Sequence, residues 1–473
     1  MTVILGAGLA GLSAAAWLTR AGQPVTVVEK DTEVGGLART VTHGEYRFDL
    51  GGHRFLTDNQ QLQSFVSELL GDDLLSVPRK SQIYIAGQYI DYPLTPLNAV
   101  FGLGPAKTGR ILFDYGKEKV LGAFRSQKIT SLEDWVVARF GRTIFELYFK
   151  NYSEKVWGID SRNISKDWVA KRIDGLSLGR FIQHALIRFR RHRVKTLTDT
   201  FLYPRLGIGQ LADRLHQCIQ ATNVVKTASA VESIFHKQGK ITAIECACAE
   251  KKQTITGSSY ISSLPITQFI AGMNPPPPDA VCRAVSKIRF RSLVVVALFL
   301  KKQRLTDLTW MYFPENIVPF GRIHEPKNWS SEMAPQGRSH VVAEYFCNTG
   351  DAVWQSSERK LCELTTDHLQ KLGFLAPGDV LDGTVLRIPY AYPVFDLQYH
   401  RHLKVITDFL DTFDNLHLIG RSGMFSYLNM DQAMESGIMV AEKVIRGCSA
   451  LNPAVRDDVP VSCSQFLQPD YSS

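Results

Sequence analysis

Gly6, Gly8 and Gly11 stand in the spacing G-x-G-x-x-G, and Glu29 with Lys30 follows the next apolar run. Glycine at these places serves a bound dinucleotide in three ways. The first permits a tight turn, the second lets backbone approach a pyrophosphate, and the third lets a helix pack on the preceding strand. A helix starting there offers unpaired N–H groups and a partial positive charge to phosphate oxygens. A carboxylate at Glu29 is placed to accept hydrogen bonds from a ribose diol. Glycine-rich turns are common in other α/β folds, so spacing alone decides little. Here residues 3–5 read as a strand before the motif, 12–21 as a helix after it and 25–28 as a second strand ending at the acid. That context favours the dinucleotide reading.

Val34-Gly35-Gly36-Leu37-Ala38-Arg39-Thr40 comes directly after the acid. It resembles the second FAD signature of the amine oxidase and protoporphyrinogen oxidase superfamily. The resemblance implies FAD as cofactor, with Gly36, Leu37 and Arg39 near the pyrophosphate and flavin. Residues 416–435 resemble the superfamily's last signature: an apolar strand ending at Gly420, then a helix from about Asp431. The N-terminus of that helix would face the flavin and stabilise negative charge on the reduced ring. Gly420, Arg421, Met430 and Ala433 are expected to contact the cofactor there. Arg421 occupies the place where amine oxidases typically carry an acid. Two more contacts follow from the resemblance. The stretch Tyr46 to Phe55 would bring Gly52 and His53 against the ring, although a plain hairpin turn would also use Gly51-Gly52. Val231 matches the position whose backbone meets the adenine.

A narrower resemblance appears further along. Asn151-Tyr152-Ser153-Glu154-Lys155-Val156-Trp157-Gly158 is similar to the Y-T-E-K-x-W-G of UDP-galactopyranose mutases and related oxidoreductases. Gly321-Arg322-Ile323-His324-Glu325-Pro326-Lys327-Asn328-Trp329 is similar to their R-I-x-E-x-K-x-F/W, and Tyr390-Ala391-Tyr392-Pro393-Val394 to their Y-Y-P-V. The resemblance implies a substrate pocket with Trp157, Tyr392 and Tyr427 as walls and Arg322 on an anionic group beside the flavin. Arg322, Tyr427 and His53 are the candidate catalytic residues. Two positions depart from the mutase pattern: Leu176 stands where a second arginine is expected, and Tyr427-Leu428-Asn429 replaces Y-Y-D.

The elements that must position these residues are legible in outline. The chain has 473 residues, 45% hydrophobic and 21% charged, which suits a globular protein of two intertwined domains. The expected fold is α/β: a Rossmann-type, glutathione-reductase-like FAD-binding domain with an interleaved α+β substrate domain and a helical insertion. The FAD domain is assigned to residues 1–76, 197–265 and 401–447. The cap and substrate domain take 77–196 and 266–400, and 448–473 form a flexible polar tail. Helices are expected over 60–75, 97–121, 131–152 and 210–220, with a hairpin over 81–92 turning at Gly87-Gln88.

No run reaches the roughly 18 to 20 apolar residues of a spanning helix, and the first strand leaves no room for a leader, so the expected place is the cytoplasm. The eight cysteines contain no C-x-x-C pair and read as reduced thiols, with no metal site. A net charge of +8 suits an anionic cofactor and substrate. The basic stretch 180–195 could lie on an anionic membrane, but such runs are more often solvated faces. Nothing points to nucleic acid, and the oligomeric state is left open. The expected activity is an FAD-dependent oxidoreductase taking a hydride from a small molecule, sugar- or phosphate-bearing; the alternative is a mutase-like isomerase using reduced FAD.

Overall fold

A computed structural model describes residues 1–85, 87–92, 105–124, 129–170, 200–248 and 251–451. The expected helix start at 97–104, the Lys171-to-Leu176 stretch, the basic stretch 180–195 and the tail beyond 451 lie outside these residues.

The strands Thr2–Leu5 and Val25–Val28 are buried at every position, as continuous apolar runs in a doubly covered parallel sheet must be. The full sheet has five strands in the order Leu416–Leu418, Ser259–Ser262, Thr2–Leu5, Val25–Val28, Val224–Lys226, all paired in parallel. It is therefore sewn from three distant parts of the chain. The helix Leu9–Arg20 packs against the closing helix Met430–Leu451 and against Gly209–Gln220. Gly11 lets this helix sit close on the turn before it, and Gly437 lets the closing helix approach it. A Cβ on Gly11 would sit 2.0 Å from the Gly6 carbonyl oxygen, and one on Gly437 would sit 2.1 Å from that of Ala10. A separate four-stranded sheet has the order Lys251–Ile255, Lys240–Cys248, Ser229–Lys237, Met273–Asn274.

The second large sheet has seven strands: Val380–Pro393, Phe290–Leu300, Ser339–Cys347, Arg322–His324, Trp310–Tyr312, Ser81–Ile85 and Gln88–Tyr92. Its two faces differ in chemistry. Cross-strand partners share a face, as do residues two apart along a strand. Met311, Ile323 and Ala343 fall on one face and bury in an apolar core with Leu361 and Leu369 of the helix Glu358–Lys371. The other face carries two rows: Tyr92, Ser81, Trp310 and His324, then Tyr312, Arg322 and Glu344.

Several boundaries differ from expectation. The helix expected over 60–75 ends at Leu70, because Gly71 adopts φ 54° and breaks it; Leu74–Pro78 is instead a strand paired with Thr200–Pro204. The expected helix 131–152 is interrupted at Gly141 (φ 88°) and resumes through a π-helical stretch Phe145–Lys150 into Asn151–Trp157. Gln88 belongs to the second hairpin strand rather than the turn, and the closing helix continues to Leu451, beyond the expected start of the tail. Among the described residues no helix is long and apolar enough to cross a membrane.

The glycine contact between the first and closing helices generates a prediction. Gly437→Ala should lower the thermal midpoint and weaken flavin retention, because overpacking of this kind costs about 1–3 kcal/mol. Met439→Ala, at a position 70% exposed on the same helix, should melt like the wild type. Thermal melts followed by flavin fluorescence compare the two.

Candidate active site

Glu29 directly follows the second strand with its side chain buried, and its two oxygens accept the Ala7 N–H at 2.7 Å and the Asp31 N–H at 3.0 Å. Burial raises its pKa against the pull of those two amides. A carboxylate oxygen has lone pairs beyond these bonds, so Glu29 retains acceptors for a diol. From it runs a cleft of about 350 Å³ lined by Gly6, Gly8, Glu29, Lys30, Gly36, Leu37, Arg39, His53, Gly420, Arg421, Met430 and Ala433. A Cβ on Gly8 would meet nothing within 4 Å, so its backbone faces open space as a pyrophosphate cradle requires. Arg39 stands 3.5 Å from Asp31 and 3.8 Å from Glu33, with its Nε making no hydrogen bond. The residues present fit an extended dinucleotide.

Three assigned residues do not line this cleft. Gly11 packs on Gly6, as above. Val231 lies on the strand Ser229–Lys237, whose first residue donates its N–H to the Glu29 carbonyl. Gly52 faces the sheet instead: its N–H donates to Glu344 Oε1 at 3.0 Å. The cleft also takes in Tyr390, which opens the Y-Y-P-V-like stretch, and Gln268 and Arg387, for which no local sequence pattern offered a signal.

At the far end, His53 and Arg421 join the cleft to the polar face of the seven-stranded sheet. Arg421 donates to the Leu428 carbonyl through Nε (2.9 Å) and Nη2 (2.7 Å), and to the Ala391 carbonyl through Nη1 (3.2 Å). Its guanidinium also lies over the rings of Tyr392 and Tyr427, at 5.3 and 5.0 Å from their centroids. Burial, with the nearby Arg421 charge second, pushes the His53 pKa down to about 3, so the imidazole is neutral. Its buried Nδ1 has no hydrogen-bond partner among the described residues.

Arg322 and Glu344 form a two-point ion pair across neighbouring strands, Nε to Oε1 at 2.8 Å and Nη2 to Oε2 at 2.5 Å. The Glu344 side chain is fully buried, and that of Arg322 is 18% exposed. His324 Nδ1 lies 3.5 Å from Glu344 Oε1. Although burial alone would raise it, the Arg322 charge holds the Glu344 carboxyl well below the usual carboxylate range. Arg322 is thus not a free cation waiting for an anion; its charge is already matched. Sequence reading missed Glu344. Its signal was a lone acid inside the apolar strand Ser339–Cys347, which burial permits only with a partner.

An aromatic wall stands beside the pair. Tyr392 and Tyr427 stack at 5.9 Å, and Trp157 meets them edge-on at 6.3 and 6.2 Å. Tyr152 meets Tyr312 edge-on at 5.6 Å. Burial pushes the Tyr392 pKa up to about 12 and that of Tyr152 well above its ordinary value. The Asn151–Trp157 helix is fixed near its C-terminal end by two cations. Lys155 Nζ donates to the carbonyls of Phe313, Glu315, Val318 and Phe320 at 2.6 to 3.3 Å. Arg291 donates to those of Val156 and Lys155. The structure therefore brings Trp157, Arg322, Tyr392 and Tyr427 together beyond the cleft.

Removing one partner of a buried pair strands the other charge, at a cost of about 3–5 kcal/mol. Arg322→Met and Glu344→Met should each lower the urea midpoint strongly. The double variant should recover much of the loss, and simple additivity of the two effects would contradict the pairing.

Comparison with known proteins places this geometry. A model of the family "Flavin containing amine oxidoreductase" matches residues 9–445. Among curated relatives, the inactive all-trans-retinol 13,14-reductase of Danio rerio is 45% identical over 49 residues, 10% of this chain and 8% of that protein. The L-amino-acid oxidase of Crotalus adamanteus is 41% identical over 66 residues, 14% of this chain and 13% of the relative. The chain thus matches only a small part of these relatives' length. A solved structure of reduced UDP-galactopyranose mutase superposes with a TM-score of 0.81 at 20% identity, covering 96% of each chain, a likeness of fold. With a family match over nearly its whole length and a cleft that fits the dinucleotide, the chain belongs to the flavin-containing amine oxidoreductase family and is an FAD-dependent enzyme.

Proposed function

We propose that this enzyme oxidises a small anionic molecule by removing a hydride from a C–H bond beside nitrogen or oxygen. FAD, when bound, supplies the two-electron acceptor. The observation that carries the reading is the set of fixed charges at the end of the cleft. His53 stays neutral, Glu344 stays ionised, and Tyr152 and Tyr392 stay protonated around neutral pH. These groups bind, orient and exclude water; none of the four is poised to carry a proton near neutrality. A neutral amine can release a hydride with its own lone pair, whereas an alcohol needs a base, so a C–H beside nitrogen suits the site better. The remaining proton then leaves from nitrogen to solvent. Arg322, held by Glu344, and the Tyr392–Tyr427 wall position the substrate, with Trp157 behind them.

A second reading, isomerisation of UDP-galactopyranose by the reduced enzyme, draws support from the mutase-like stretches and the shared fold. Two features weigh against it: Leu176 stands where mutases carry an arginine, and the Arg322 charge is already matched by Glu344. A diphosphate held during bond cleavage benefits from clamps on both sides.

The two readings separate under anaerobic conditions. Oxidised enzyme should be bleached by one of a panel of amines and alcohols carrying carboxylate or phosphate, without added reductant, giving a product two electrons poorer. Furanose formation from UDP-galactopyranose at about 1 s⁻¹ or faster, only after dithionite reduction, would replace the first reading with the second.

A further inference from the structure

Arg54 and Arg79 take no part in the chemistry described so far. Arg54 follows Gly52 and His53 in the loop leading to the flavin end. Arg79 lies between the strands Leu74–Pro78 and Ser81–Ile85. Both converge on one side chain. Their guanidinium carbons lie 5.0 and 5.3 Å from the ring centroid of Trp310, and Arg79 also covers Tyr92 at 5.1 Å. Trp310 is buried on the polar face of the seven-stranded sheet, in the row that includes Tyr92, and two residues before Tyr312.

The electrostatics here are the reverse of those at Arg322. Among the described residues, neither half-buried guanidinium has a carboxylate within 4.0 Å. Arg79 makes one long hydrogen bond, from Nε to Ser81 Oγ at 3.4 Å. An aromatic face attracts a cation but does not neutralise it. Burial, the charge of Arg79 and that of Arg322 all act to lower the Arg54 pKa, so the like charges are close enough to be felt. The indole N–H of Trp310 is buried with no acceptor among the described residues. Among the described residues the cluster is therefore rich in donors and carries two positive charges with no counter-charge in contact. A carboxylate would match one of the two. A phosphoryl group matches both, and its three oxygens suit planar guanidinium forks.

We propose that Arg54, Arg79 and Trp310 form a binding site for a phosphate ester, carried by the substrate that enters the polar face of the sheet. The proposal deepens the anionic-substrate reading but does not depend on which bond the flavin attacks. It places the substrate's phosphoryl group at the Trp310 end of the face and its reacting carbon toward Arg322 and His53.

The test uses FAD-loaded enzyme, so that the dinucleotide cleft is filled, at constant ionic strength. Glucose 1-phosphate and inorganic phosphate are titrated by calorimetry, with acetate as control. The ester should bind saturably and at least as tightly as inorganic phosphate, and acetate should not. Arg54→Gln and Arg79→Gln should each weaken ester binding tenfold or more with FAD content unchanged. Arg359→Gln, at an exposed helical site, should leave binding intact. Should either arginine variant fail to hold FAD, Trp310→Phe keeps the ring and removes the donor, and it should also weaken binding. Absence of saturable binding, equal binding by the variants, or binding of inorganic phosphate without the ester would overturn the assignment. None of these outcomes bears on flavin reduction, so the proposal can fail while the oxidation reading stands.

Discussion

A fully buried carboxylate in the middle of an apolar strand is the constraint on which the rest of this site depends. Glu344 is tolerable there only because Arg322 grips both oxygens from the next strand and the Gly52 N–H adds a third bond. An unpaired charge in that position would cost several kcal/mol. The same contacts tie three separate parts of the chain together: the strands Ser339–Cys347 and Arg322–His324, and the glycine loop that continues into His53. Satisfying one buried charge thus fixes the junction between the dinucleotide cleft and the substrate face. Nearby, Asp49 does similar work for the same loop. Its buried oxygens accept from Thr40 Oγ1 (2.6 Å), Tyr203 Oη (2.7 Å) and the Ile208 N–H (3.1 Å).

Burial pushes the Asp49 pKa up to about 7, but on the sheet-face side of the junction the protein arranges fixed charge. Arg421 is spent on the Leu428 and Ala391 carbonyls and stacks against Tyr392 and Tyr427, so it acts as a strut that also carries a positive potential. Arg322 is matched by Glu344, whereas Arg54 and Arg79 both lie over the Trp310 ring and, among the described residues, have no carboxylate within 4.0 Å. The two guanidiniums at the Trp310 end suit an anionic group of a substrate whose reacting carbon lies at the flavin end. Fixed dipoles and charges of this kind aid catalysis without reorganising during the reaction.

Much of the dinucleotide half was legible in the sequence because its information is local. A strand, three spaced glycines, a helix and an acid occupy thirty consecutive residues, and each type has one physical reason to be there. The substrate half was legible only through short resembling stretches. Trp157, Arg322, Tyr392 and Tyr427 come together, but the partner that defines Arg322 was not visible, because Glu344 meets it only through cross-strand register. Arg54 and Arg79 were hidden for the same reason: nothing near them in the chain announces Trp310. Helix limits failed where a single glycine overrode a good apolar pattern, at Gly71 and Gly141. Lys155 looked like part of a pocket motif, yet its four carbonyl partners make it the clamp that holds the Phe313-to-Phe320 segment.

The flavin end of the cleft abuts a pre-charged set of groups, His53, Glu344, Tyr152 and Tyr392, organised by the Arg322–Glu344 pair. Neutron diffraction from deuterium-exchanged crystals of the FAD-loaded enzyme at neutral pH reads those protons directly. Arg322 should show a fully deuterated guanidinium, Glu344 no deuteron and His53 a single nitrogen-bound deuteron. A deuteron on Glu344, or a doubly protonated His53, would contradict this arrangement.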